Sequence, residues 1–161
     1  MEEKLIKSKQ RVKEFAEVFT PEWVVKDMLD LIPNFNIKQT YLEPSMGNGN
    51  FIIEILKRKF NLCKKKQDYI TAIESVYGID IQLDNCIECR QRVKDLYVSY
   101  NQKLTRDIEL LIDKHLIHGD ALAIMELLGK HNTDMINIIV TRQLEELVKA
   151  KVELEKECGL R

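Results

Sequence analysis

A short stretch from Thr40 to Leu42 runs straight into Glu43-Pro44-Ser45-Met46-Gly47-Asn48-Gly49-Asn50-Phe51. Phe51, Ile52, Ile55 and Leu56 then recur at helical spacing. The order is strand, glycine turn, helix. Gly47 and Gly49 permit a tight turn and let backbone approach a ligand closely. The helix that follows presents free N–H groups at its start. Such a unit belongs in a sheet of parallel strands joined by helices.

The rest of the chain continues the alternation. Residues 1–16 read as a polar helix, and Phe15, Val18 and Phe19 lead into Thr20-Pro21. Thr20 suits an N-cap and Pro21 a first helical turn. Val24, Val25, Met28, Leu29 and Ile32 then mark one apolar helix face that ends near Pro33. A charged connection with Lys64, Lys65 and Lys66 leads to a second strand, Ser75 to Ile79, which ends in Asp80. Leu83 to Tyr97 is helical, with Leu83, Ile87, Val93 and Tyr97 expected to face inward, and helix continues or restarts at Arg106 to Ile112. A third strand, His115 to His118, precedes Gly119-Asp120 and a helix over Ala121 to Leu128. Asp134 to Val140 is nearly continuous in apolar residues, as in a strand covered on both faces, and a last helix runs from about Gln143 to Glu157.

The 161 residues are one domain's worth. Net charge is -1, so any nucleic-acid surface must be local or supplied by another chain. No run approaches the roughly 18 apolar residues of a membrane span, and no membrane partner is expected. The N-terminus lacks an export signal, which makes the expected location cytoplasmic. Of Cys63, Cys86, Cys89 and Cys158, only Cys86 and Cys89 form a close pair. No second pair or nearby histidine completes a zinc set, so no metal is expected and the cysteines read as reduced.

Ligands of parallel α/β sheets bind beyond the carboxyl ends of the strands. Three clusters fall at those ends: Glu43 to Gly49, Asp80 and Asp120. No GKS or GKT follows the glycines, which disfavours a Walker ATPase. Glu43 suits a cationic ligand such as a sulfonium or amino group. Asp80 sits where a carboxylate can accept ribose hydroxyls, and Asp120 where one can accept from the exocyclic amine of adenine. Each has a plainer reading: a simple turn for the glycines, a helix cap for either aspartate. NAD binding is a rival, since an acidic residue after the second strand serves that fold too.

With these residues in view, the sequence resembles the N6-adenine DNA methyltransferases of bacterial restriction-modification systems. Phe19-Thr20-Pro21 resembles the segment packed over the methionine part of S-adenosylmethionine. Glu43 to Phe51 resembles the glycine-rich cofactor motif, with Glu43, Pro44, Ser45, Gly47 and Gly49 at matching positions. Tyr77-Gly78-Ile79-Asp80-Ile81 resembles the ribose-binding strand end, and His118-Gly119-Asp120-Ala121-Leu122 the adenine-contacting motif. The resemblance covers residues 15 to 122. It implies a Rossmann-like, class I S-adenosylmethionine-dependent methyltransferase fold with an N-terminal helical segment. The implied cofactor residues are Phe19, Thr20, Pro21, Glu43, Pro44, Ser45, Gly47, Gly49, Asp80, Ile81, Asp120 and Ala121.

The resemblance stops at the fourth strand. There the family carries Asn or Asp, then Pro-Pro and an aromatic, a loop that holds the flipped adenine. Here the stretch is Ile138-Ile139-Val140-Thr141-Arg142-Gln143, and the only prolines are Pro21, Pro33 and Pro44. The resemblance therefore implies a partial domain over residues 1–161, truncated after its fourth strand: N-terminal helices at 1–35, an α/β core at 39–140 and a C-terminal helix at 142–158. No catalytic residue is assigned, and DNA methylation by the chain alone is not expected. DNA would be reached through a partner subunit or a missing C-terminal part. The apolar edge at 134–140 favours a homodimer or hetero-oligomer. Lys57, Arg58, Lys59 and Lys64 to Lys66 either touch DNA phosphates or form a solvated helix end. The alternative function is a non-catalytic ligand-sensing or interaction module derived from a methyltransferase.

Overall fold

The computed structural model describes residues 5–130. The chain divides into two units, residues 1–119 and residues 120–161. The fourth strand at 134–140 and the closing helix at 143–157 lie outside the described residues, as does the association surface expected from them.

The first unit carries α1 (Lys9–Phe15), α2 (Glu22–Asp30), β1 (Tyr41–Glu43), α3 (Asn50–Phe60), α4 (Lys66–Glu74), β2 (Val76–Asp80), α5 (Leu83–Ser99), α6 (Arg106–His115) and β3 (Leu116–His118). The strands form one parallel sheet in the order β1-β2-β3. Tyr41 pairs with Val76 and Glu43 with Gly78; Gly78 pairs with Leu116 and Asp80 with His118. β2 is therefore the central strand, and four of its five residues are buried. In the second unit α7 spans Ala121–Lys130.

The core gathers Val25 and Leu29 of α2, Ile52, Ile55, Leu56 and Phe60 of α3, Ile73 of α4, Val93 and Tyr97 of α5, and Ile112 of α6. α3 and α5 both pack on β2, while α2 leans on α3. Burying this apolar surface is the main favourable term, worth about 1.5–3 kcal/mol for each large side chain.

Several expectations need correction. The charged connection after α3 contains a further helix, α4. The Asp68 carboxylate accepts the Lys64 and Lys65 N–H groups at 2.9 and 3.2 Å, closing the helix start, and Ala72 and Ile73 are buried. On α5, Val93 and Tyr97 face inward as expected, but Leu83 and Ile87 are 41% and 58% exposed. The inward stripe runs instead through Cys86, Cys89 and Arg90. The two thiols act as small apolar groups. The Arg90 guanidinium donates to the Leu116 carbonyl at 2.9 and 2.6 Å, capping the end of α6.

α6 also runs on to His115, which the sequence reading gave to the third strand. At α2 the helix begins at Glu22, with Pro21 as its cap and no side-chain capping bond, so Thr20 is not the N-cap. β1 and β2 each sit one residue later than expected, so Glu43 and Asp80 are the last residues of their strands.

Lys59 departs furthest from expectation. It is fully buried, not part of a solvated basic end. Its ammonium donates to the Ile37 carbonyl at 2.9 Å and to the Gln39 carbonyl and Ser75 Oγ at 2.5 Å each. The Tyr41 ring lies 5.0 Å from it. Burial pulls its pKa down to about 8. Arg58 is engaged by Asp30 and Glu54. Of the cluster read as either a phosphate contact or a solvated helix end, Lys64, Lys65 and Lys66 are exposed.

Candidate functional site

The turn after β1 is built on two left-handed glycines, Gly47 at φ 53° and Gly49 at φ 94°. Space is as restrictive as conformation. A Cβ on Gly47 would lie 3.0 Å from the Phe19 ring, and one on Gly49 would overlap the Cys89 sulfur. The Met46 N–H donates to the Ile79 carbonyl at 2.9 Å, which fixes the turn beside β2.

Asp80 finishes that anchoring. It is 6% exposed. One oxygen accepts the Gly47 N–H at 2.8 Å; the other accepts the Gln82 N–H at 2.8 Å and the Asn85 amide at 3.2 Å. A carboxylate offers about four lone-pair sites, so one remains for a further donor.

Glu43, the last residue of β1, enters the turn from the strand beside β2. Its carboxylate accepts the Ser45 N–H at 3.1 Å. Desolvation raises its pKa above the usual value, and the Ser45 hydrogen bond offsets part of that rise. A carboxylate that pays desolvation is ready to gain from a cationic partner.

The segment from Phe15 to Thr20 covers the turn. Phe19 is buried, and its N–H donates to the Leu5 carbonyl at 2.8 Å. The Thr20 carbonyl accepts the Asn50 amide at 2.8 Å, joining the strap to the start of α3. Arg92 donates to the Asn48 carbonyl at 2.7 Å and to Asn50 Oδ1 at 2.9 Å. Lys7 and Arg11 reach Asp84 on α5, and Arg11 also reaches Glu17. Hydrogen bonds from Arg11 and Lys7 hold the Asp84 carboxyl down to about 2.

These elements enclose a cavity of about 350 Å³. Phe19 and Thr20 line it from the strap, Glu43, Ser45 and Gly47 from the turn, and Asp80 and Ile81 from the end of β2. Seven residues expected from three separate segments thus meet at one cavity. Pro21, Pro44 and Gly49 are not in its lining; Gly49 shapes the turn and Pro21 caps α2. Asp120 and Ala121 belong to the second unit. There Asp120 Oδ1 accepts the Leu122 N–H at 2.9 Å, as a helix cap does.

Glu17 also lines the cavity, and sequence reasoning missed it. Nothing in its spacing singles it out; only Arg11, six residues earlier, hints at a paired carboxylate.

Among the described residues no His, Cys, Asp and Glu cluster has metal-site geometry, and no helix is long and apolar enough to cross a membrane.

No protein-family model and no solved structure matches the chain. A curated relative does: the Type II methyltransferase M.VspI of Vibrio sp. (strain 343) is 32% identical over 78 residues. The match takes in 48% of this chain and spans 16% of the relative's length. Among the described residues, the mixed α/β architecture with its parallel three-stranded sheet is compatible with a Rossmann-like methyltransferase fold. The shared stretch relates this chain to methyltransferases.

Proposed function

We propose that the chain is the S-adenosylmethionine-binding part of a DNA adenine-N6 methyltransferase of the restriction-modification type, with the target-adenine loop supplied by another segment or subunit. The observation that carries this reading is the meeting of Phe19, Glu43, Gly47 and Asp80 at one cavity. Each has the chemistry that the cofactor asks for. Glu43 is a desolvated carboxylate that favours a positive group. Asp80 keeps acceptor capacity at the head of α5 for a sugar hydroxyl. The bare glycine backbone allows the close approach that a side chain would block.

S-adenosylmethionine supplies an electrophilic methyl group on a sulfonium. The chain's part would be to bind and orient: Asp80 and the glycine turn would hold the ligand, and Phe19, whose ring lies against Gly47, would wall the same site. Positioning of this kind is a large share of what an enzyme contributes to transfer between two bound partners. The residues that would hold and stack adenine are absent from Ile138 to Gln143. The chain by itself is therefore expected to bind cofactor and leave DNA unmethylated.

Titration calorimetry of the folded chain with S-adenosylmethionine and S-adenosylhomocysteine tests the reading. Binding of both is expected. No heat and no thermal shift at millimolar ligand overturns it. Methyl transfer to adenine on adding a subunit that carries the missing loop would extend it to catalysis.

A further inference from the structure

Next to Asp80 lie two buried acceptors without a donor, Glu17 Oε1 and Asn85 Oδ1. The Glu17 side chain is only 10% exposed, yet it lines the cavity. Its other oxygen accepts from Arg11 at 2.5 Å and from the Asn85 amide at 2.8 Å. That same Asn85 nitrogen donates to Asp80 at 3.2 Å. One amide thus bridges two carboxylates, one from the strap and one from the end of β2. An acceptor left buried without a donor carries a real cost, which an incoming donor group relieves.

We propose that Glu17 is a positioning residue that accepts a sugar hydroxyl of the ligand, beside Asp80 and across Asn85. This rests on reading the cavity as an S-adenosylmethionine site. The charge balance selects the donor. Arg11 already lies against the Glu17 carboxylate, so Oε1 calls for a neutral hydrogen-bond donor rather than a cation. A vicinal diol supplies two such donors, and two carboxylates with a shared amide can divide them. In this structure Oε1 is covered, so contact needs a small displacement of the strap. Phe15 and Val18, which flank Glu17 in that strap, are 51% and 57% exposed and bury little.

The experiment compares S-adenosylhomocysteine with its 2′-deoxy and 3′-deoxy sugar analogues on wild type, Glu17→Ala and Glu17→Gln, with melting curves to check folding. On wild type, removing one of the hydroxyls is expected to weaken binding about tenfold, the scale of a hydrogen bond to a charged group. On Glu17→Ala that penalty is expected to shrink to about twofold, the mark of a pairwise coupling. If Glu17→Ala does not fold, the near-isosteric Glu17→Gln decides. It places an amide N–H₂ where Oε1 stood, and the hydroxyl penalty changes there too. Equal hydroxyl penalties on wild type and on the variant that folds overturn the proposal, even if the variant binds all three ligands more weakly. A wild-type chain that binds none of them overturns the methyltransferase reading instead, and this inference with it.

Discussion

The Asp80 carboxylate accepts the backbone N–H of Gly47 at 2.8 Å, across 33 positions of sequence. The residue read as a ligand contact is thus also the clamp that holds the glycine turn against the central strand. Binding and local stability share one side chain.

Asp80→Ala is therefore expected to cost both. Three donors lose their acceptor, and stability should fall by about 1–3 kcal/mol. Cofactor affinity should fall further, because the turn loses its anchor as well as its hydroxyl acceptor. Urea unfolding and calorimetry on the same variant separate the two. Unchanged affinity alongside reduced stability would leave Asp80 as a clamp alone.

Gly49→Ala tests the turn. A φ of 94° strains any L side chain, and the added methyl overlaps the Cys89 sulfur. The expected loss is about 1–3 kcal/mol. Cys89→Ala in the same chain should return the steric part and leave the backbone part. A denaturation cycle with the two single variants and the double variant measures the coupling.

Lys59 makes stability depend on alkaline pH. Its folded pKa of about 8 lies below the unfolded value near 10.4. Between those values the unfolded chain binds more protons, so this group's contribution to stability rises with pH and is lost as pH falls through 8. Lys59→Met removes that slope. It also strips donors from Ile37, Gln39 and Ser75, for an expected loss of about 1–3 kcal/mol at neutral pH. The deficit of the variant should widen from pH 8 upward in urea titrations. A constant deficit across that range would show that Lys59 does not titrate there.

Glu43 acts at the acid end. Its raised folded pKa means that its share of stability is present at low pH and lost as pH rises through that value. Affinity for a cationic ligand should move the opposite way and strengthen as the carboxylate ionises. Calorimetric titrations across the acid range, with Glu43→Gln as the flat reference, check it. Parallel profiles for the two proteins would remove Glu43 from the site.

The alternation of strands and helices was readable as far as β3, because apolar spacing and the glycine turn are local signals. So was the meeting of Glu43, Gly47 and Asp80, since parallel strands bring their ends to one edge; Asp120, read the same way, belongs to the second unit, and Phe19 came from the family resemblance alone. Glu17 was not legible, because its value comes from Asn85 and Asp80, far away in sequence. Lys59 was misread for a related reason: a lysine between Arg58 and Phe60 looks solvated until three acceptors from other segments surround it. On α5, Ile87 lost its inward place to Cys86 and Cys89 because small thiols let the helix sit close to the turn. α4 was not legible because it follows the charged run Lys64 to Lys66 and buries only Ala72 and Ile73, too few apolar positions to set a helical period.

The closeness of Cys89 to Gly49 has a kinetic consequence. Cys86 and Cys89 are fully enclosed, and burial pushes both thiols up to about 12. An alkylating reagent finds neither a thiolate nor a path while α5 rests on the turn. Cys89 becomes reactive only when the two part. At high reagent the labelling rate then equals the rate of that parting, and at low reagent it reports how much of the time they are apart. The glycine turn thus carries its own chemical clock, readable by mass spectrometry at the Cys89 sulfur.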